Sequence, residues 1–335
     1  MALPWWKRVM WAAAWWMSGW VALCAWAQPI RDDGARARTT GEAAALVDPS
    51  VAVPLALNCA ARPSACGYPD ATNTGVPVGT KLKRVPQDIT SGPGWHYDSR
   101  GWITVDTDGA DVNGIDTQLS IDVTADHVVI RNSRIRFAGE GWGVGVRHAK
   151  KVTIKHCEIG GVDIGSGRML VAIKDIYADS VNLRVLRNNI SMVSTGVQMD
   201  AGLIADNYIH DLGYIPGDHL NGTTSNGTSG FLTIRHNTVF NPFDQTDAIS
   251  LFEDFGVQKD RLIEDNLMAG GGYCLYGGQN AGGPPTSQIT VRNNRFARLF
   301  YGQCGRFGPV AAWSSGGGNL WTGNIWDDTG APVNP

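Results

Sequence analysis

The chain has 335 residues, a formal charge of −3 and charged side chains at only 18% of positions. Loss of the first 27 residues, with Lys7 and Arg8, would take the charge to −5. No basic face is therefore expected, and nucleic-acid binding is set aside. Length alone allows one or two domains, and 42 glycines suit tight turns on a strand-rich body.

Lys7 and Arg8 precede an uncharged run, Val9 to Ala27, that is rich in Trp and Ala and closes on Ala25-Trp26-Ala27. This is the pattern of an export signal, residues 1–27, cleaved before Gln28. On length, a retained membrane anchor is the alternative. Residues 28–58 have no apolar period and read as a flexible spacer. Export makes the cysteines legible. Cys59 and Cys66 enclose a short Pro/Gly loop and are expected to pair, and Cys274 and Cys304 to clip adjacent turns. Cys157 is expected to be buried, and no spacing matches a zinc site. Residues 59–104 hold turn-forming sequence, Gly67-Tyr68-Pro69-Asp70 and Asn73 to Pro77, with several aromatics. They are expected to cap the open end of the domain that follows.

From 105 to 328 one phrase returns eight times: an apolar residue, any residue, two Asn/His/Asp-like positions, any residue, an apolar residue. The copies are Ile130–Ile135, Ile154–Ile159, Val185–Ile190, Ile204–Ile209, Ile234–Val239, Ile263–Met268, Val291–Phe296 and a degenerate Trp321–Trp326. Their spacing, about 19 to 31 residues, signals a solenoid. Helical repeats would need apolar spacings of three and four over longer segments. In a strand the apolar ends face inward while the Asn lies at a bend, stacking on its neighbour in the next coil. The expected fold is all-β: a single-stranded right-handed parallel β-helix of about eight coils with an N-terminal cap. Trp313, Trp321 and Trp326 are expected to close the other end, and residues 329–335 form a tail.

A second strand lies between the phrases, as in Val144–Arg147, Val171–Lys174, Gly196–Asp200, Ile249–Phe252 and Tyr273–Tyr276, with Asp218–Gly222 at the equivalent place in the fifth coil. Alternation sends Arg147, Lys174, Gln198, Asp200, His219, Asn221, Ser250 and Phe252 outward, with Asp254 at a strand end. Stacked at roughly 4.8 Å, these form a ladder of cations, carboxylates, amides and, further along, Tyr273 and Tyr276. Such a ladder suits an acidic polysaccharide: cations meet uronate carboxylates, Asp and Asn take hydroxyls or a cation, and rings support sugar faces. Outward positions on any soluble strand are also commonly polar, and isolated surface pairs contribute little. The stretch 208–276 is the richest. His219 lies between Asp218 and Asn221, a setting able to orient an imidazole. Asp244–Asp247 follows, and Gly270-Gly271-Gly272 opens a floor before Tyr273.

At these residues the chain resembles the pectate-lyase-like superfamily of secreted right-handed β-helices. More narrowly it resembles a group of exported bacterial β-helix proteins. The likeness is carried by Pro69–Thr80, Tyr208–Leu212, His219-x-Asn221-Gly222 and Gly270–Tyr276. The third often reads His-x-Asp-Gly in that group, and here Asn221 stands where the acid would be. The Trp-Ile-Asp-His and Arg-Pro-x-x-Arg elements of pectate lyases are absent, as are the paired aspartates, His-Gly and Arg-Ile-Lys of polygalacturonases. The resemblance implies a carbohydrate ligand, so the leading expectation is a polysaccharide lyase acting on a uronate-containing glycan by β-elimination. Lys174 or His219 would be the base, with Arg147 or a calcium ion neutralising charge. Gln198, Asn221, Asp247, Tyr273 and Tyr276 would bind substrate, and Asp200, Asp218 and Asp254 would supply oxygens to Ca²⁺ if one is used. A glycoside hydrolase using two of Asp200, Asp218, Asp247 and Asp254, a uronate epimerase, or a non-catalytic glycan-binding rod are the alternatives. The expected protein is a secreted monomer, extracellular or periplasmic, with no membrane span after signal cleavage.

Overall fold

The computed structural model describes residues 58–335 apart from Ser229. The expected signal, 1–27, and all but the last residue of the expected spacer lie outside them. Among the described residues no helix is long and apolar enough to cross a membrane.

Each coil gives one short strand to each of three sheets, of ten, eleven and nine strands. The first sheet begins at Lys83–Val85 and ends at Ile325–Trp326. The second runs from Ser91–Gly92 to Gly308–Ala311, the third between Asp111–Asn113 and Leu320–Thr322. From coil to coil all pairing is parallel, so the fold is a parallel β-solenoid. The nine strands of the third sheet count nine coils, one more than the repeat phrase announces. The extra coil is Val112 to Thr117, in register with Ile130 to Ile135. It escapes the pattern because Ile115 occupies the Asn position and Thr117 the final apolar one.

The phrase proves to be a corner between two strands. Ile130 lies in Val129–Arg131 of the third sheet and Ile135 in Arg134–Arg136 of the first. Between them the chain turns through one left-handed residue, with φ between 50° and 64° at Asn132, His156, Arg187, Asp206, His236, Asp265, Asn293 and Gly323. Short polar residues and glycine tolerate that region best. The next residue faces inward. From Asn188 through Asn207, Asn237, Asn266 and Asn294 to Asn324, each side-chain oxygen accepts from the backbone N–H and Nδ2 of the preceding Asn at 2.9–3.0 Å. Cys157 takes the same position, its backbone N–H donating to Asn188 Oδ1 at 3.0 Å. Burial pushes its thiol up to about 12, so it is inert packing. Ile130, Ile154, Ile204, Ile234, Ile263 and Val291 are at most 1% exposed.

The residues expected to form one cap divide in two. Trp95–Asp98 and Trp102–Val105 form a hairpin that extends the second sheet onto Ser120–Val123, and Trp95 packs into the core. Residues 58–80 lie elsewhere. The Ala60 N–H donates to Asp327 Oδ2 in the last coil at 2.9 Å, and Cys59 packs with Phe240, Leu267 and Ala297. Tyr68 stacks on His236, and the Gly75 N–H donates to the Arg187 carbonyl. Lys83–Val85 then pairs with Ile115–Thr117 in the first coil. The segment is a strap running back along the first sheet from the last coil to the first. Both expected disulfides are present, Cys59–Cys66 pinning the strap's start and Cys274–Cys304 joining neighbouring coils. At the C-terminal end Val333 is buried, and its carbonyl accepts from Trp321 Nε1 at 2.7 Å.

Candidate functional site

The second sheet does not alternate simply. Its register aligns Trp142-Gly143-Val144-Gly145, Val171-Ala172-Ile173-Lys174, Thr195-Gly196-Val197-Gln198, Asn221-Gly222-Thr223-Thr224, Asp247-Ala248-Ile249-Ser250 and Tyr273-Cys274-Leu275-Tyr276. In each quartet the two middle residues face the core and the outer two face away. The first middle residue must be small: a Cβ at Gly222 would lie 2.1 Å from Val239 Cγ1, and one at Gly196 2.4 Å from the Gly222 carbonyl oxygen. Two parallel rails result, Thr195–Asn221–Asp247–Tyr273 and Lys174–Gln198–Thr224–Ser250–Tyr276.

Two adjoining clefts of about 420 and 560 Å³ lie over these rails, and Gln198, Asn226 and Asp254 line both. The first is lined also by Thr195, His219, Asn221, Thr224, Thr246, Phe252 and Tyr276, the second by Lys174, Asp200, Tyr177 and Phe255. Aromatic rings gather at the C-terminal side, with Phe252 5.3 Å and Tyr273 5.5 Å from Tyr276, and Phe307 6.0 Å from Tyr273.

Lys174 is the one lysine or arginine among the described residues lining the groove. It is half-buried, has no ion pair or hydrogen bond among them, and burial lowers its pKa. Arg147 does not join it. Its guanidinium pairs with Asp122 at 2.7 Å and lies over the Trp142 ring. His219 lines the groove and is exposed, but Asp218 does not orient it. That carboxylate is buried against Arg168 at 2.7 and 2.8 Å and accepts from Ser194 Oγ at 2.6 Å. Despite burial, these bonds hold its pKa below the ordinary carboxyl value. What fixes His219 is its backbone: the Leu220 N–H donates to Thr246 Oγ1, and Asn241 Nδ2 donates to the Leu220, Gln245 and Asp247 carbonyls.

The three aspartates expected to hold calcium do not converge. Alternation points Asp200 outward, but the chain turns there and buries it. Its Oδ1 accepts from Ser225 Oγ, Asn226 N–H and Gly227 N–H at 2.5, 2.6 and 3.1 Å. With Asp218 committed to Arg168, Asp254 alone stays exposed. Among the described residues no three His, Cys, Asp or Glu side chains are grouped to hold a metal ion.

Gln198, Asn221 and Tyr276 line the groove as expected residues, and Tyr273 flanks it. Asp247 lies in the floor, wholly buried, and desolvation pushes its pKa well above the ordinary carboxyl value. Thr195, Thr224, Asn226 and Thr246 escape sequence reasoning. For Thr195 and Thr224 a signal existed, the recurrent small–apolar pair that each quartet encloses. Searches of protein-family models and of curated proteins return no match to the chain.

Proposed function

We propose that this protein binds a uronate-containing polysaccharide along the second sheet and cleaves it by β-elimination, as the resemblance to the pectate-lyase-like superfamily suggests. The observation that carries the reading is Lys174, desolvated and without an ion pair among the described residues, in a groove lined also by amides, hydroxyls, aromatic rings, His219 and the carboxylates of Asp200 and Asp254. Rings and neutral polar groups suit sugar faces and hydroxyls. A lysine with a lowered pKa offers more free amine near neutral pH, as a general base requires. In the reaction Lys174 takes the proton α to the uronate carboxylate. The released electron pair forms the carbon–carbon double bond as the bond to the leaving oxygen breaks, and that oxygen takes a proton from His219 or solvent. Gln198 and Asn221 amide N–H groups hold the charge developing on the carboxylate.

Hydrolysis fits less well. It needs two carboxyl groups beside the bond, about 5 to 9.5 Å apart, whereas Asp200 and Asp218 are engaged in the scaffold and Asp247 is buried. Two disulfides suit an oxidising compartment, in keeping with an exported protein. The deciding experiment incubates the protein with a panel of uronic-acid polymers, with and without chelator, and follows the ultraviolet absorbance of new unsaturated ends. Growth of that absorbance, unaffected by chelator, is expected. New reducing ends without absorbance would instead mean hydrolysis, and glycan retention with neither signal would mean a binding protein.

A further inference from the structure

Asp247 is the one wholly buried carboxyl group on the groove rails, and neither of its oxygens has a well-formed hydrogen-bond partner among the described residues; the Ser250 hydroxyl nearby lowers its pKa less than burial raises it. Ser250, the hydroxyl three residues on, donates to the Thr223 carbonyl at 3.4 Å. The register partner of Asp247 on the preceding strand is Asn221, one strand spacing of about 4.8 Å away. Asn221 Oδ1 is also buried and unpartnered, while its Nδ2 donates to Thr195 Oγ1 at 3.4 Å on the strand beyond. Two buried acceptors facing each other across adjacent strands repel if both are bare, and each unmade bond costs about 1–3 kcal/mol. A single proton on Asp247 gives Asn221 Oδ1 a donor and removes the repulsion between the two.

We propose that Asp247 is held as a neutral carboxylic acid that donates to Asn221 Oδ1, forming a one-way relay from Asp247 through Asn221 to Thr195. Each member then donates toward the groove. The carboxylic O–H gives to Asn221 Oδ1, Asn221 Nδ2 gives to Thr195 Oγ1, and the Thr195 hydroxyl proton is left free for a ligand. With Asp247 ionised the order reverses: Asn221 turns its N–H₂ to the carboxylate, Thr195 donates to Asn221, and the groove meets an acceptor. The relay therefore selects ligands with an acceptor oxygen, a uronate carboxylate first among them. This last step rests on the glycan reading above. Asp247 touches no ligand and is a positioning residue. The burial that raises its pKa outweighs the lowering by the Ser250 hydroxyl and agrees with the assignment, and no cation among the described residues offsets it. The titratable groups on the segments around it are His219, Asp244, Tyr273 and Tyr276.

Carboxyl and side-chain amide NMR of the intact protein tests the relay without any glycan. Asp247→Asn identifies the carboxyl resonance. Expected is an acid-form Asp247 at pH 7, with the Asn221 amide resonances moving at the same midpoint when pH is raised. A carboxylate at pH 7, or an Asn221 amide indifferent to the Asp247 titration, overturns the proposal. In binding assays with oligogalacturonate and its carboxyl-reduced form, Asp247→Asn retains a donor and should keep wild-type preference for the uronate. Asp247→Leu should lose about tenfold of it, the value of one hydrogen bond. Equal loss in both variants would make the ionised form the functional one and would also overturn the relay. If the wild type binds neither oligomer while the NMR behaves as expected, the glycan reading falls and the relay stands.

Discussion

Lys174 reaches the groove half-buried and with no ion pair or hydrogen bond among the described residues, an arrangement the scaffold does not need. Lys174→Ala should therefore lower glycan cleavage by about 10²-fold or more, the usual contribution of a positioned base. Its melting temperature should stay that of the wild type, and specific activity and thermal unfolding on one preparation read both. A fall in stability with activity per folded molecule intact would make the lysine part of the scaffold. Asp247 behaves oppositely with pH. Its folded pKa lies above the ordinary value of 3.8, so the native state binds the extra proton. The stability it contributes is complete below about 3.8 and is lost as pH rises toward the folded value. Asp247→Asn cannot ionise, so it should match wild type near pH 4 and melt higher at pH 7. A constant difference across that range would contradict the buried acid. Groove-facing positions were legible in the sequence for Lys174, Gln198 and Asn221. They were not for Asp200 or Asp218, because alternation predicts which way a side chain leaves a strand but not whether a turn folds back over it.

At the scale of the element, the corner does more than the strands. The strands on either side are often only three residues long, too short to fix register by themselves, while the Asn ladder joins six consecutive coils by paired hydrogen bonds. Asn237 sits in the middle, donating to Asn266 Oδ1 and to the Ile204 and Arg235 carbonyls, and accepting twice from Asn207. Asn237→Ala strands buried partners on both sides, at about 1–3 kcal/mol for each group left unpaired. A loss of several kcal/mol in chemical denaturation is expected, far above that of Asn132→Ala, whose side chain is at the surface. Comparable losses in the two variants would show that the ladder adds little. This corner was legible because a side-chain amide both donates and accepts, so Asn recurs at the inward position from coil to coil. The second sheet was less so: two consecutive inward residues break the period of two, and only the coil-to-coil alignment of Gly196, Gly222, Ala248 and Cys274 reveals it.

At the scale of the molecule, a solenoid leaves its first sheet open along its whole length, and the strap of residues 58–80 covers part of that face. Its hold is local at each coil: Ala60 on Asp327, Tyr68 on His236, Gly75 on Arg187. His236 is itself set by Asp206, whose carboxylate bonds Nδ1 at 2.7 Å and raises the imidazole pKa. The sequence gives no apolar period for the strap, because its contacts are single anchors spaced along a flat surface, so turn-forming residues alone suggested a cap. The Cys59–Cys66 bond closes a small loop at the anchored end, and such a closure is worth about 2 kcal/mol in the unfolded-chain account. Cys59→Ser with Cys66→Ser should free the strap's start while the coils stay folded, since each coil pairs with its neighbours through three sheets. Hydrogen exchange would then show faster exchange at the Ala60 and Gly75 amides, with the strand amides of Ile204, Ile234 and Ile263 as protected as in wild type. Uniform loss of protection through the coils would instead make the strap a clamp on which the whole solenoid depends.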